Sequence, residues 1–244
     1  MKTYGLIGRN ISYSFSKKYF SEKFEKENIQ ALYRNFDLKD LDQLKNILAE
    51  TSNLSGLNVT IPYKEYIIPY LDSHDPVAKK IGAVNTIKIE DDGKLTGYNT
   101  DHYGFVNSLK PLLHNNHSHA LILGTGGASK AVAYGLEQMG IRYKFVSRKP
   151  KEGWLDYSSL GAEEFTTYTL IINCTPLGTY PDIASIPPIP TDHITPRHVI
   201  FDLIYNPPIT RLMQLGKQKG AMVKNGYEML ELQAEKSWDI WHSV

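Results

Sequence analysis

The stretch Ala120-Leu121-Ile122-Leu123-Gly124-Thr125-Gly126-Gly127-Ala128-Ser129 reads as a strand, a glycine turn and the start of a helix. Ala120 to Leu123 is a short apolar run of the kind buried inside a sheet. Glycines let the backbone turn sharply and approach a phosphate, and a helix N-terminus offers free N–H groups and the positive end of a dipole. A glycine loop alone is weak evidence. The residues about 20 positions further on add to it, because that is where a dinucleotide fingerprint reads the ribose. Tyr143 to Val146 predicts the second strand, and Ser147-Arg148-Lys149 stands at its end. Asp or Glu there would hold a free 2′-hydroxyl, whereas a hydroxyl and two cations suit a 2′-phosphate. The expected unit is therefore Rossmann-type and built for NADP, with Ser129 in the third small position in place of Gly or Ala. The competing reading is a structural turn beside a surface basic pair.

The chain has 244 residues, 41% of them apolar, with a formal net charge of +1 and one cysteine. That length suits one large or two modest domains. The charge balance gives no electrostatic case for a nucleic acid or an anionic membrane. Cys174 alone cannot form an internal disulfide, which fits a reducing compartment. No apolar run approaches membrane-spanning length, and residues 1–9 contain no leader-like apolar core. The expectation is a soluble cytoplasmic protein.

Outward from the glycine loop, the first hundred residues read as a complete α/β unit. Tyr4 to Ile7, Ala31 to Phe36, Leu57 to Ile61 and Ala83 to Glu90 predict strands, and Asp91-Asp92-Gly93 a hairpin turn into Lys94 to Tyr98. A polar stretch covers residues 10–16. Lys17 to Glu27 and residues 41–48 carry apolar residues at helical spacing. Phe105 to Leu113 predicts a helix, and the polar tract 114–119 a surface link. Its three histidines, His114, His117 and His119, lack a carboxylate or Cys to complete a metal set, so no metal is expected. In the second half, Leu170 to Asn173 and Val199 to Leu203 predict strands, and Glu228 to Trp241 a final helix. Between Arg148 and Leu170, Pro150, Gly153 and Gly161 leave no helical period, so that crossover reads as cut down to about a single turn.

Four segments of the first unit carry polar residues that core packing does not explain. Ser14 and Ser16 alternate, so in an extended segment both hydroxyls face one way. In Asn58-Val59-Thr60-Ile61-Pro62-Tyr63-Lys64, alternation places Val59 and Ile61 toward the core and Asn58 and Thr60 opposite. Asn85 lies in Gly82-Ala83-Val84-Asn85-Thr86, and Asp101 ends Asn99-Thr100-Asp101. Each has a bland alternative: a cap, a turn, or a solvated lysine.

Taken together and in order, these segments resemble the shikimate dehydrogenase family over nearly the whole chain. Ser14-Phe15-Ser16 and the Asn58–Lys64, Gly82–Thr86 and Asn99–Asp101 segments match its signatures. So do the Gly124–Ser129 loop, Asn173-Cys174-Thr175-Pro176-Leu177-Gly178, Asp202-Leu203-Ile204-Tyr205-Asn206-Pro207, and Asn225-Gly226-Tyr227-Glu228-Met229-Leu230 with Gln233. The sequence departs from the family at Lys17, where Pro is usual, at His102, where Gly is usual, and at Glu228, where a small residue is usual.

The resemblance implies an enzyme that reversibly reduces 3-dehydroshikimate to shikimate with NADPH. It implies a discontinuous α/β substrate domain, residues 1–101 with 226–244, and a Rossmann-type NADP domain, residues 102–225, with the cleft between them. Lys64 and Asp101 would form the catalytic pair at the C3 hydroxyl, with Lys64 as proton donor, electrostatic anchor or both. Ser14 and Ser16 would bind the carboxylate, assisted by Tyr205, and Asn58, Thr60, Asn85, Asp101 and Gln233 would read the ring hydroxyls. Gly124, Gly126, Gly127, Ala128, Ser147, Arg148, Lys149, Asn173, Thr175, Ile204, Gly226 and Met229 would hold the cofactor. Met229 and Gln233, four apart, share a helix face. The alternatives are a relative acting on quinate with NAD, which Arg148 and Lys149 argue against, and a non-catalytic ligand-binding relative, which would be expected to lose Lys64 or Asp101. The partner is a small molecule, and monomer and homodimer both stay open.

Overall fold

A computed structural model describes residues 1–12, 14–114 and 116–243. Tyr13, Asn115 and Val244, which fall in the polar stretch 10–16, the tract 114–119 and the end of the expected first domain, lie outside the described residues. The chain divides into two compact units, residues 1–103 with 231–244 and residues 104–230.

The first unit opens with β1 (Lys2–Gly8), α1 (Phe15–Lys26), β2 (Ala31–Asp37), α2 (Leu44–Glu50) and β3 (Leu54–Val59). Then come β4 (Ser73–His74), α3 (Pro76–Ile81), β5 (Thr86–Ile89), β6 (Leu95–Tyr98) and the start of α4 (Asp101–Leu109). Six strands form one sheet in the order β2-β1-β3-β5-β6-β4, and β5 alone runs against its neighbours. β1 lies inside the sheet between β2 and β3 and is buried from Thr3 on, which explains its apolar run Tyr4–Ile7. At the β5–β6 turn Gly93 has φ +83°, a conformation L side chains resist.

The second unit contains β7 (His119–Leu123), α5 (Gly127–Gln138), β8 (Arg142–Val146), α6 (Ala162–Thr167), β9 (Leu170–Asn173), β10 (Val199–Asp202), α7 (Arg211–Gln218) and β11 (Met222–Asn225). α8 (Tyr227–His242) begins there too. The five strands are all parallel, in the order β11-β10-β9-β7-β8. Ala120 and Ile122 join one apolar layer with Phe105, Val132 and Leu136; Leu121 and Leu123 join the other with Phe165, Ile200 and Leu212. The sheet is thus wound on both faces, as in Rossmann-type folds, with the order reversing between β7 and β9.

Aromatic packing brings the last turns of α8 into the first unit. Tyr4 stacks on Trp241 at 4.8 Å between ring centroids, and Phe20 stacks on Tyr33 at 4.7 Å. The Trp241 indole donates to Ile87 O at 3.0 Å. Gly56 makes room for it, since a Cβ there would overlap the indole ring. Burying each such ring contributes about 1.5–3 kcal/mol.

Several expectations need correction. β3 stops at Val59, so alternation does not extend to Ile61, which is 75% exposed. The helix expected from Phe105 begins at Asp101, where Asn99 Oδ1 accepts the His102 N–H at 3.3 Å. The two compact units part after Tyr103, inside α4, and after Leu230, inside α8. The shortened crossover holds a 3₁₀ turn, Tyr157–Ser159, as well as the six-residue α6, which buries only Phe165 and so shows no period. His117 is no surface linker. It is buried, accepts the His114 N–H at Nδ1 and donates from Nε2 to Arg197 O.

Candidate active site

Lys64 follows β3 on a segment held at both ends. Tyr63 donates its hydroxyl to Leu38 O at 2.7 Å, and Val84 N donates to Lys64 O at 2.7 Å. Asp101 occupies the first turn of α4, where the helix dipole favours a carboxylate. The two meet, Lys64 Nζ lying 2.6 Å from Asp101 Oδ2, with their side chains only 15% and 7% exposed. Asn85 orients the other carboxylate oxygen. Its Oδ1 accepts the Thr100 backbone N–H at 2.6 Å, which forces its amide nitrogen toward Asp101 Oδ1 at 3.0 Å and Gln233 Oε1 at 3.2 Å. The result is an ammonium donor and a fixed carboxylate, an arrangement that can pass a proton to or from a substrate hydroxyl.

Ser14 caps α1. Its oxygen accepts the Lys17 N–H at 3.2 Å and its proton goes to Asn35 Oδ1 at 3.0 Å. α1 has no acidic residue in its first turn. That leaves Ser14 and Ser16 at a helix N-terminus suited to an anion. Nearby, the buried Tyr33 phenol donates to Asn58 Oδ1 at 2.7 Å. Burial pushes the Tyr33 phenol well above its ordinary range, so it serves as a neutral donor. Thr60 backbone N–H donates to Ile7 O at 2.8 Å, at the end of the same sheet. The first unit therefore gathers Ser14, Ser16, Asn58, Thr60, Lys64, Asn85, Asp101 and Gln233. Hydrogen bonds through Tyr33, Thr86, Thr100 and Ser237 join Asn58, Asn85, Asp101 and Gln233, while Asn35 pairs with Ser14, and the sequence reading gave none of these five a site role. Tyr33 looks like an ordinary core strand residue. Ser237 carried a signal, standing one helical turn after Gln233.

The remaining predicted residues belong to the second unit, Tyr205 among them, where burial raises its phenol pKa. Gly124 has φ +97° and faces Thr175 and Cys174 across the switch point. Gly126 caps α5, and a Cβ there would meet nothing within 4 Å. That open cradle before Gly127 and Ala128, at the N-terminus of a 12-residue helix, fits a diphosphate. Ser129 is buried, and its hydroxyl donates to Gly126 O at 2.6 Å, so the turn accommodates it. Ser147 Oγ accepts the Lys149 N–H at 3.2 Å, and Arg148 and Lys149 are exposed beyond β8. These residues fit a 2′-phosphorylated dinucleotide.

Other cofactor candidates are builders of the strand ends. Asn173 is wholly buried, its Oδ1 accepting from Thr175 N and Oγ1 and its amide donating to Asp202. Gly226 is pressed against Leu203, where any Cβ would overlap the carbonyl. Its N–H donates to Ile204 O at 3.1 Å. Met229 packs into the core with Phe105 and Phe201. Glu228 pairs with Lys224, which accounts for a charge at that position.

Asp202 is fully buried at the end of β10, accepting from Asn173, Ile204 N and Thr210 Oγ1. Burial outweighs these bonds and pushes its carboxyl up to about 6. A raised folded value means that this group's stabilising contribution is complete below the ordinary carboxylate range and lost as pH rises through about 6. Asp202→Asn abolishes that dependence. Its melting temperature relative to the parent should therefore rise between pH 4.5 and pH 7.5, in thermal melts at matched ionic strength. A parallel pH course for both proteins would contradict this.

The family described as shikimate dehydrogenase substrate binding domain matches residues 6–87. A shikimate dehydrogenase (NADP(+)) from Clostridium botulinum is 38% identical over 252 residues, covering 99% of this chain and 96% of the relative. The crystal structure of shikimate dehydrogenase from Aquifex aeolicus superposes with a TM-score of 0.88 at 33% identity, covering 99% of this chain and 92% of that one. The Thermus thermophilus shikimate 5-dehydrogenase, solved in complex with NADP(H) and shikimate, matches with a TM-score of 0.88 at 29% identity, covering 100% and 94%. With such identity sustained over the full chain, this protein belongs to the shikimate dehydrogenase family.

Proposed function

We propose that this protein interconverts 3-dehydroshikimate and shikimate with NADPH and NADP. The observation that carries the reading is the Lys64–Asp101 contact at 2.6 Å, with the Asn85 amide placed between Asp101 and Gln233. Bound NADP supplies the hydride acceptor for oxidation, and NADPH the donor for reduction. As hydride leaves the carbon bearing the C3 hydroxyl, the hydroxyl proton must leave with the opposite charge. Lys64 and Asp101 accept it as a unit, and the Lys64 ammonium returns it in the reduction direction while stabilising the developing alkoxide. Ser14 and Ser16 hold the carboxylate with neutral hydroxyls at the head of α1, assisted by Tyr205. Asn58, Thr60, Asn85, Asp101 and Gln233 read the ring hydroxyls, since an unmatched buried polar group costs about 1–3 kcal/mol. Gly124, Gly126, Gly127 and Ala128 cradle the diphosphate. Ser147, Arg148 and Lys149 take the 2′-phosphate. Asn173, Thr175, Ile204, Gly226 and Met229 shape the nicotinamide end. The single thiol, Cys174, suits a reducing cytoplasm.

The test is absorbance of reduced nicotinamide with shikimate or quinate against NADP or NAD. Shikimate with NADP should give the highest kcat/KM of the four pairs; a preference for quinate with NAD would overturn the proposal. Ser14→Ala removes a contact made in both ground and transition states, so it should raise the shikimate KM more than it lowers kcat. Steady-state kinetics with shikimate varied at saturating NADP measures this, and a loss confined to kcat would contradict it.

A further inference from the structure

Ser237 lies on α8 one turn beyond Gln233 and is wholly buried. Four groups surround its oxygen. Asn58 Nδ2 stands at 3.0 Å, Thr86 Oγ1 at 2.7 Å, Thr100 Oγ1 at 3.2 Å and the Gln233 carbonyl at 2.9 Å. A hydroxyl has one proton and two acceptor sites. The Gln233 carbonyl can only accept, and the Ser237 hydroxyl is placed to donate to it within the helix. The two lone pairs then face Asn58 and Thr86.

That allocation bears on Asn58. Its Oδ1 already takes the Tyr33 proton at 2.7 Å, so its amide nitrogen must find acceptors on the other side. The alternatives to Ser237 are Asn85 O and Thr86 Oγ1, each longer at 3.3 Å. Ser237 therefore provides the shortest contact opposing Tyr33. One hydroxyl joins the helix that bears Gln233 to β3, which bears Asn58, and to β5 and the Thr100 turn beside Asp101.

We infer that Ser237 is a positioning residue for substrate recognition, locking the Asn58 amide and the Gln233 turn in the orientation that reads the ring hydroxyls. The inference rests on the substrate site proposed above. Ser237 touches no substrate. Its effect is preorganisation, which lowers the ordering that binding must accomplish.

Ser237→Ala removes the hydroxyl with little change in volume. The shikimate KM should rise about 5- to 10-fold, the loss expected when one buried donor is left to weaker partners. The NADP KM should stay unchanged and kcat should stay within about twofold, because the Lys64–Asp101 pair is untouched. Ser237→Cys keeps the volume but offers only a weak acceptor, so it should behave like Ser237→Ala. Thermal melts of both variants accompany the kinetics. Gln233→Ala, assayed in parallel, tests the site itself and should raise the shikimate KM.

An unchanged shikimate KM in Ser237→Ala, with Gln233→Ala impaired, overturns the Ser237 inference and leaves the site standing. Equal loss in kcat and both KM values, or a Cys variant indistinguishable from the parent, shows a packing role and also overturns it. If neither Gln233→Ala nor Ser14→Ala alters the shikimate KM, the site reading fails and the Ser237 inference falls with it.

Discussion

Lys64→Met is expected to lower kcat by about 100-fold or more while leaving the shikimate KM nearly unchanged. Methionine keeps an unbranched side chain of similar reach, so packing around the position survives, and only the ammonium is lost. The remaining carboxylate is not stranded, because Asp101 Oδ1 still accepts from Asn85 at 3.0 Å. What disappears is the donor 2.6 Å from Asp101 Oδ2, which has its largest effect as charge develops on the substrate oxygen. An interaction made chiefly in the transition state shows in kcat. Steady-state kinetics in both directions checks this. A KM effect with kcat preserved would make Lys64 a substrate anchor instead.

Arg148→Ala is expected to weaken NADP binding about 10- to 100-fold and to leave NAD binding little changed. A charge-assisted hydrogen bond contributes roughly 1.5–3 kcal/mol, and only NADP carries the phosphate that forms it. Arg148 is exposed beyond β8, and its guanidinium fork matches a phosphate in a way that Lys149 cannot copy. The contrast should shrink as salt is raised. Titration of both cofactors into parent and variant measures it. Equal weakening of the two would place the recognition of the 2′-phosphate elsewhere.

The parts of the fold legible in the sequence were those set by local pattern. Leu170 to Asn173 forms β9 at the expected residues, because four apolar-flanked positions buried on both faces leave little ambiguity. The glycine loop was legible for the same reason, since Gly124 and the cap at Gly126 need no distant partner to be recognised. Ile61 was misread because alternation holds only while the strand lasts, and β3 ends at Val59. α6 escaped because six residues burying one side chain show no period. α7, with Leu212, Met213 and Gly216 on one face, was passed over between two proline-rich and lysine-rich stretches.

The site divides the same way. Lys64 and Asp101 were legible only through the ordered motifs that hold them, since each alone reads as a solvated lysine or a helix cap. Ser237 and Tyr33 acquire a site role only from long-range contacts: Ser237 meets Asn58 from 179 positions away, and Tyr33 meets it from 25. Asn173, Gly226 and Met229 carried a cofactor signal, yet each also answers a demand of the fold. Asn173 ties β9 to β10 through Asp202, Gly226 lets the backbone pass Leu203, and Met229 fills the core. A motif alone does not separate those two demands.

The central claim is that Lys64 and Asp101 act as one chemical unit. The direct measurement is kcat for Lys64→Met, Asp101→Asn and the double variant, at saturating shikimate and NADP. Asp101→Asn keeps the hydrogen-bonding shape but removes the charge that holds the ammonium 2.6 Å away. Its loss should be comparable to that of Lys64→Met, and the double variant should be little worse than either, because residues that act together are strongly non-additive. Losses that multiply in the double variant would mean that the two residues work independently, and would contradict the mechanism.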